Sequence, residues 1–169
     1  MFVPFDKLPE TSRIWIYQSD RKFTPDEKNT ISNTLQAFTN QWTAHNQTLG
    51  ASFAIMHDQF IVLGVDENYN EASGCSIDAS VHAIKNLGTT LNLDFFTRTK
   101  IAFWNEDEIR IIPLFELSEG LARNMWNSQT EVFNNTITSK GEMKSGWKIP
   151  AGQSWLKRYL TRANCVSNN

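Results

Sequence analysis

The chain has 169 residues, 40% of them hydrophobic and 20% charged, the balance of a globular rather than a disordered protein, and fits one domain with a sizeable core. A net charge of −2 without a basic stripe through the main body argues against a nucleic-acid binder. No run approaches the roughly 20 apolar residues of a membrane-spanning helix, and Met1 to Lys7 show no basic region leading into an apolar one, so neither membrane insertion nor a secretory leader is expected.

Arg13-Ile14-Trp15-Ile16-Tyr17-Gln18, β-branched and aromatic, predicts the first strand. Thr24-Pro25-Asp26-Glu27 predicts a helix start: Thr24 caps, Pro25 stands where an amide has no partner, and Glu27 completes a capping box. Ile31, Leu35, Phe38 and Trp42 then mark its buried face, with Gly50 in the connection that follows. Residues 51–57 and 60–66 predict a hairpin turning near His57-Asp58-Gln59, its second strand apolar enough to be central. After the polar stretch Asp66 to Gly74, Ser76 or Asp78 is a cap for a second helix carrying Ile77, Val81, Ile84, Leu87 and Leu91, which Gly88 ends or interrupts.

Residues 101–104 and 109–112 predict another hairpin, closed by Pro113, and residues 116–126 a third helix with Leu117, Leu121 and Met125 in step. A short strand at Val132-Phe133 is expected within a loop-rich stretch, then a last short helix over 154–162. The order β-α-ββ-α-ββ-α plus a C-terminal helix predicts an α+β fold with a mainly antiparallel sheet and helices mostly on one face. From Ser139 onward six basic residues (Lys140, Lys144, Lys148, Lys157, Arg158, Arg162) face one acid, Glu142. Such a basic, partly irregular segment docks on an acidic partner, docks on the protein's own acidic body, or is simply solvated.

Residues Asn70 to Asp78 form the segment whose residue types invite a mechanism. Cys75 falls at a helix start, where free amides and the helix dipole favour a thiolate. Asp78 and His82 are four apart on one face, so the carboxylate could orient the imidazole. His82 would however lie on the order of 10 Å below Cys75 along the axis, so a histidine near the thiol would have to be His45 or His57, brought in by the fold. Set against this, buried cysteines commonly serve as inert packing groups. Ser73, Gly74 and Ser76 also suit a small anion, a phosphate or carboxylate held by backbone amides and hydroxyls. No metal or cofactor is expected: the histidines lack ligand spacing, and Asp66-Glu67 reads as a strand end. Trp42 and His45, three apart, read as a helix edge on the core.

Two cysteines as distant as Cys75 and Cys165 suggest free thiols in the cytoplasm rather than a disulfide framework. The runs Ser12 to Gln18, Ala51-Ser52-Phe53, Gly74-Cys75-Ser76-Ile77-Asp78-Ala79-Ser80 and Ser154-Trp155-Leu156-Lys157-Arg158-Tyr159-Leu160 together resemble a small bacterial family of uncharacterised proteins, over most of the chain. Some members carry an ABC-transporter ATPase label by automatic transfer. The resemblance implies a cytoplasmic protein and carries over no activity, cofactor or catalytic residue. The label conflicts with the sequence, which has no Gly-x-x-x-x-Gly-Lys-Ser/Thr octet to cradle phosphates. The aromatic content (eleven Phe, six Trp, three Tyr) and the charge asymmetry point first to a non-enzymatic binding module with a protein partner or a second copy of itself. A thiol-dependent hydrolase or transferase using Cys75 comes second, and a small-anion binder third.

Overall fold

The computed structural model describes residues 1–68 and 70–166, except the side chains of 162–166; the thiol of Cys165 and the guanidinium of Arg162 therefore lie outside the described residues. The fold is α+β, and every pairing between its named strands is antiparallel. The described residues fall into two compact units, one within 1–96 with 136–142 and the other within 97–135 with 143–166.

In the first unit, β1 (Arg13–Gln18), β4 (Gly50–Met56) and β5 (Phe60–Asp66) make a sheet in the order β1-β5-β4. The near-continuous apolar run of β5 is explained by that central position, with Phe60 to Val65 buried. Side chains alternate across the pleat. Tyr17, Ile61 and Leu63 face α1 (Pro25–Gln41) and α2 (Gly74–Leu91), where Ile31, Leu35, Ile84 and Leu87 complete the core. Each such Leu or Ile stabilises the fold by about 1.5–3 kcal/mol relative to exposure. On the opposite face Gly64 leaves room for Leu8: a Cβ there would lie 2.7 Å from the Leu8 Cδ1. The segment 136–142 returns to this unit, its Thr138 carbonyl accepting from the Ile14 amide and its Lys140 amide donating to the Ser12 carbonyl, both at 2.9 Å. The Lys140 ammonium donates to the Leu8 and Asp6 carbonyls, so this member of the basic segment is docked on the protein itself.

Local chemistry sets the helix ends. The Thr24 hydroxyl accepts from the Glu27 amide at 3.2 Å while Glu27 accepts from the Thr24 amide at 2.8 Å, the capping box read from the sequence. The second helix departs from expectation. Its cap is Ser73, whose hydroxyl accepts from the Ser76 amide at 3.2 Å, so Ser76 and Asp78 lie inside the helix rather than capping it. Gly88 is interior, and Asn92, in left-handed conformation with φ 53°, terminates the helix. Gly50 opens β4 rather than lying in a connection. Ahead of it stand two strands too short to show a period, β2 (Thr43–Ala44) and β3 (Gln47–Thr48), which pair around His45 and Asn46 at φ 51° and 63°.

In the second unit, β6 (Lys100–Asn105), β7 (Glu108–Pro113), β8 (Glu131–Phe133) and β9 (Lys148–Pro150) pair in the order β7-β6-β8-β9. Phe103, Ile112, Val132, Trp126 and Leu156 form its core with α3 (Leu117–Ala122) and α4 (Lys157–Val166). The third helix is shorter than the leucine spacing predicts. Asn124 turns left-handed at φ 57°, the Met125 amide bonds back to the Gly120 carbonyl at 2.8 Å, and Trp126 folds inward to donate to the Leu117 carbonyl at 2.9 Å. Gly120 makes that return possible, since a Cβ would sit 3.2 Å from the Trp126 ring. The last helix begins at Lys157 rather than Ser154 and extends to Val166, while β9 falls in a stretch expected to be irregular.

Candidate functional site

A cleft of about 780 Å³ opens in the first unit where α1 ends, the β2–β3 turn projects and α2 begins. Its size lies within the range of small-molecule sites, about 300–1,000 Å³. Phe38 and Trp42 provide an aromatic wall, with ring centroids 4.9 Å apart. Thr43, His45 and Asn46 line it from the turn, and Ser73 to Ser76 with Ala79 line it from the helix start.

The position of Trp42 follows from the end of α1. The helix stops at Gln41, and Trp42, extended at φ −69° and ψ 122°, turns its indole inward. The buried indole N–H donates to the Ser76 carbonyl at 2.9 Å, and the ring packs against Trp15 at 6.0 Å. Trp42 and His45 consequently do not share a helix edge: Trp42 is a buried wall, and His45 lies beyond the helix at the tip of a turn.

Cys75 is exposed, so the inert packing reading does not describe it. It occupies the second position of α2, and its amide and that of Gly74 belong to the first turn, which has no intrahelical acceptors. Ser73 and Ser76 are engaged with each other: the Ser76 hydroxyl donates to the Ser73 carbonyl at 2.8 Å. Of the anion-binding candidates, Gly74 contributes a helix-start amide, the Ser73 hydroxyl accepts from the Ser76 amide and keeps its own proton to donate, and the Ser76 hydroxyl donates to the Ser73 carbonyl.

The fold brings His45 and Cys75 to one cleft, a relation that no local spacing encodes. Asp78 and His82 are exposed further along α2 and do not line it. His57 sits at the β4–β5 turn. The Asp66 carboxylate accepts from the Asn68 amide at 3.0 Å, and Glu67 accepts from the Ala72 amide at 3.0 Å and lies 3.6 Å from Arg13, so both shape the connection. Among the described residues no group of three or more His, Cys, Asp and Glu side chains is placed to hold a metal, and no helix is long and apolar enough to cross a membrane.

No protein-family model, curated protein or solved structure matches the chain.

Proposed function

We propose that the chain is a cytoplasmic, non-enzymatic binding module whose ligand is a small organic molecule seated in the cleft between α1, the β2–β3 turn and α2. One observation carries this reading: an open volume of about 780 Å³ combines a fixed aromatic wall with a polar rim, the division of labour by which small-molecule sites gain affinity and orientation. The Phe38 ring, backed by the buried Trp42, receives an apolar or aromatic body. The free amides of Gly74 and Cys75 suit a carboxylate or phosphate on the same ligand.

A thermal-shift screen of carboxylated and phosphorylated aromatic compounds tests this, because a ligand at a hundred times its Kd stabilises by about 2.7 kcal/mol. Ala79→Trp fills the cleft from an exposed position and is expected to abolish any shift. A shift unaffected by that substitution, or none across the screen, counts against the reading.

A second reading, thiol-dependent transfer or hydrolysis, is favoured by the exposed Cys75 lining the same cleft as His45. It predicts alkylation of Cys75 faster than that of an unassisted exposed thiol, slowed in His45→Asn. Alkylation at the rate of an unassisted thiol, indifferent to His45, removes it.

A further inference from the structure

From Met143 to its end the sequence has five basic residues and no acidic one. Two of these cations, both in the second unit, are held over aromatic rings rather than against carboxylates. The Lys148 ammonium lies 4.3 Å from the centroid of Trp104, and the Arg158 guanidinium lies 4.8 Å from that of Trp155 and 5.4 Å from that of Tyr159. Arg158 makes no ion pair with any described residue.

Trp155 remains 46% exposed and so is open to a partner. Its ring is the outer member of a stack that runs inward through Tyr159 at 6.1 Å, Trp126 at 6.4 Å and Phe103 at 5.5 Å. The inner two rings are buried. The outer pair therefore stands on a rigid base and loses little side-chain freedom when a partner arrives.

We propose that Trp155, Arg158 and Tyr159 form a docking surface for an acidic segment of a partner protein, one in which a carboxylate neighbours an apolar or aromatic side chain. The Arg158 guanidinium, held beside these rings and without an ion pair among the described residues, can meet a carboxylate through two parallel hydrogen bonds. Trp, Tyr and Arg are also the residues that dominate binding energy at protein interfaces. Charge complementarity selects an acidic occupant, since α4 contributes no acid of its own. A peptide fits better than a nucleic acid, whose binding rests on many phosphate contacts at once. A membrane surface calls for a denser run of cations than α4 and its flank supply.

The test is fluorescence anisotropy of the full chain with a labelled peptide of repeating Glu-Glu-Phe, against repeating Gln-Gln-Phe, a single-stranded oligonucleotide and phosphatidylserine vesicles. Saturable binding of the acidic peptide is expected, at least about tenfold tighter than the Gln peptide and weakened about tenfold by Trp155→Ala or Arg158→Ala. Arg158→Lys keeps the charge and loses the fork, so it should rescue only part of the affinity. Trp155 and Arg158, the two side chains substituted, are exposed, and unchanged circular dichroism would verify folding. Equal affinity for the Gln peptide, or indifference to both alanine variants, overturns the proposal. So does tighter, Arg158-dependent binding to the oligonucleotide or the vesicles. Self-association abolished by Arg158→Ala would assign the surface to a second copy and overturn it too.

Discussion

The indole N–H of Trp42 donates to the carbonyl of Ser76 across a buried 2.9 Å, tying the residue that ends α1 to the first turn of α2. This hydrogen bond joins the two helix ends that flank the cleft.

Trp42→Phe removes this donor and keeps a ring. The Ser76 carbonyl retains its place in the helical ladder, so the loss should be about 1 kcal/mol, read from the midpoint of urea unfolding. Trp42→Ala also removes the buried ring and should cost about 3–5 kcal/mol.

Acid should unlatch the start of α1. The Glu27 carboxylate takes a two-pronged bond from Arg21, at 2.7 and 2.9 Å, and a third from the Thr24 amide. These contacts, Arg21 foremost, hold its pKa down at about 2 against an ordinary 4.5. Because the folded value is the lower, the stabilisation is complete above about pH 4.5 and is lost as pH falls through about 2. Glu27→Gln should destabilise by about 1 kcal/mol at pH 7 and by progressively less as pH falls from about 4.5 through about 2, as a series of urea titrations would show.

The β6–β7 turn is built from residues ill suited to it. Glu106 and Asp107 both adopt left-handed conformations, φ 47° and 68°, which cost an ordinary side chain roughly 1–2 kcal/mol. Replacing the pair by Asn-Gly, the dipeptide this hairpin geometry favours, should raise stability by about 1 kcal/mol in thermal unfolding.

Gly88 should tolerate no side chain. A Cβ there would stand 2.6 Å from the Leu93 carbonyl oxygen, a backbone atom that cannot swing aside. Gly88→Ala is expected to lower stability by about 1–3 kcal/mol despite alanine's better helix propensity. An unchanged denaturation midpoint would refute that packing argument.

What could be read from the sequence was what neighbouring residues determine among themselves. Thr24, Pro25 and Glu27 settle the start of α1 by contacts spanning three positions, and the apolar run of β5 declares a strand covered on both faces. The cap of α2 was harder, because a stretch containing Ser73, Ser76 and Asp78 offers several acceptors, and only the backbone path selects Ser73. The leucine spacing that over-extended α3 continues in step through Met125, and nothing in the period announces that Asn124 will break it. The β2–β3 ribbon was missed because two-residue strands carry no alternation; Asn46 at its turn was the available cue. Of the cleft, the helix-start half was legible and the His45 half was not, since their meeting depends on where α1 stops.

The return of residues 136–142 to the first unit bears on how the protein is made. Ile14, Ser12 and Glu10 each bond to backbone that is synthesised after all of residues 97–135. At about 5–20 residues per second, the first unit waits several seconds between completing its sheet and receiving its last segment. During that interval one edge of β1 lacks its covering, so a ribosome stalled after Phe96 would display a nascent chain with an open strand edge, a natural place for a chaperone to engage.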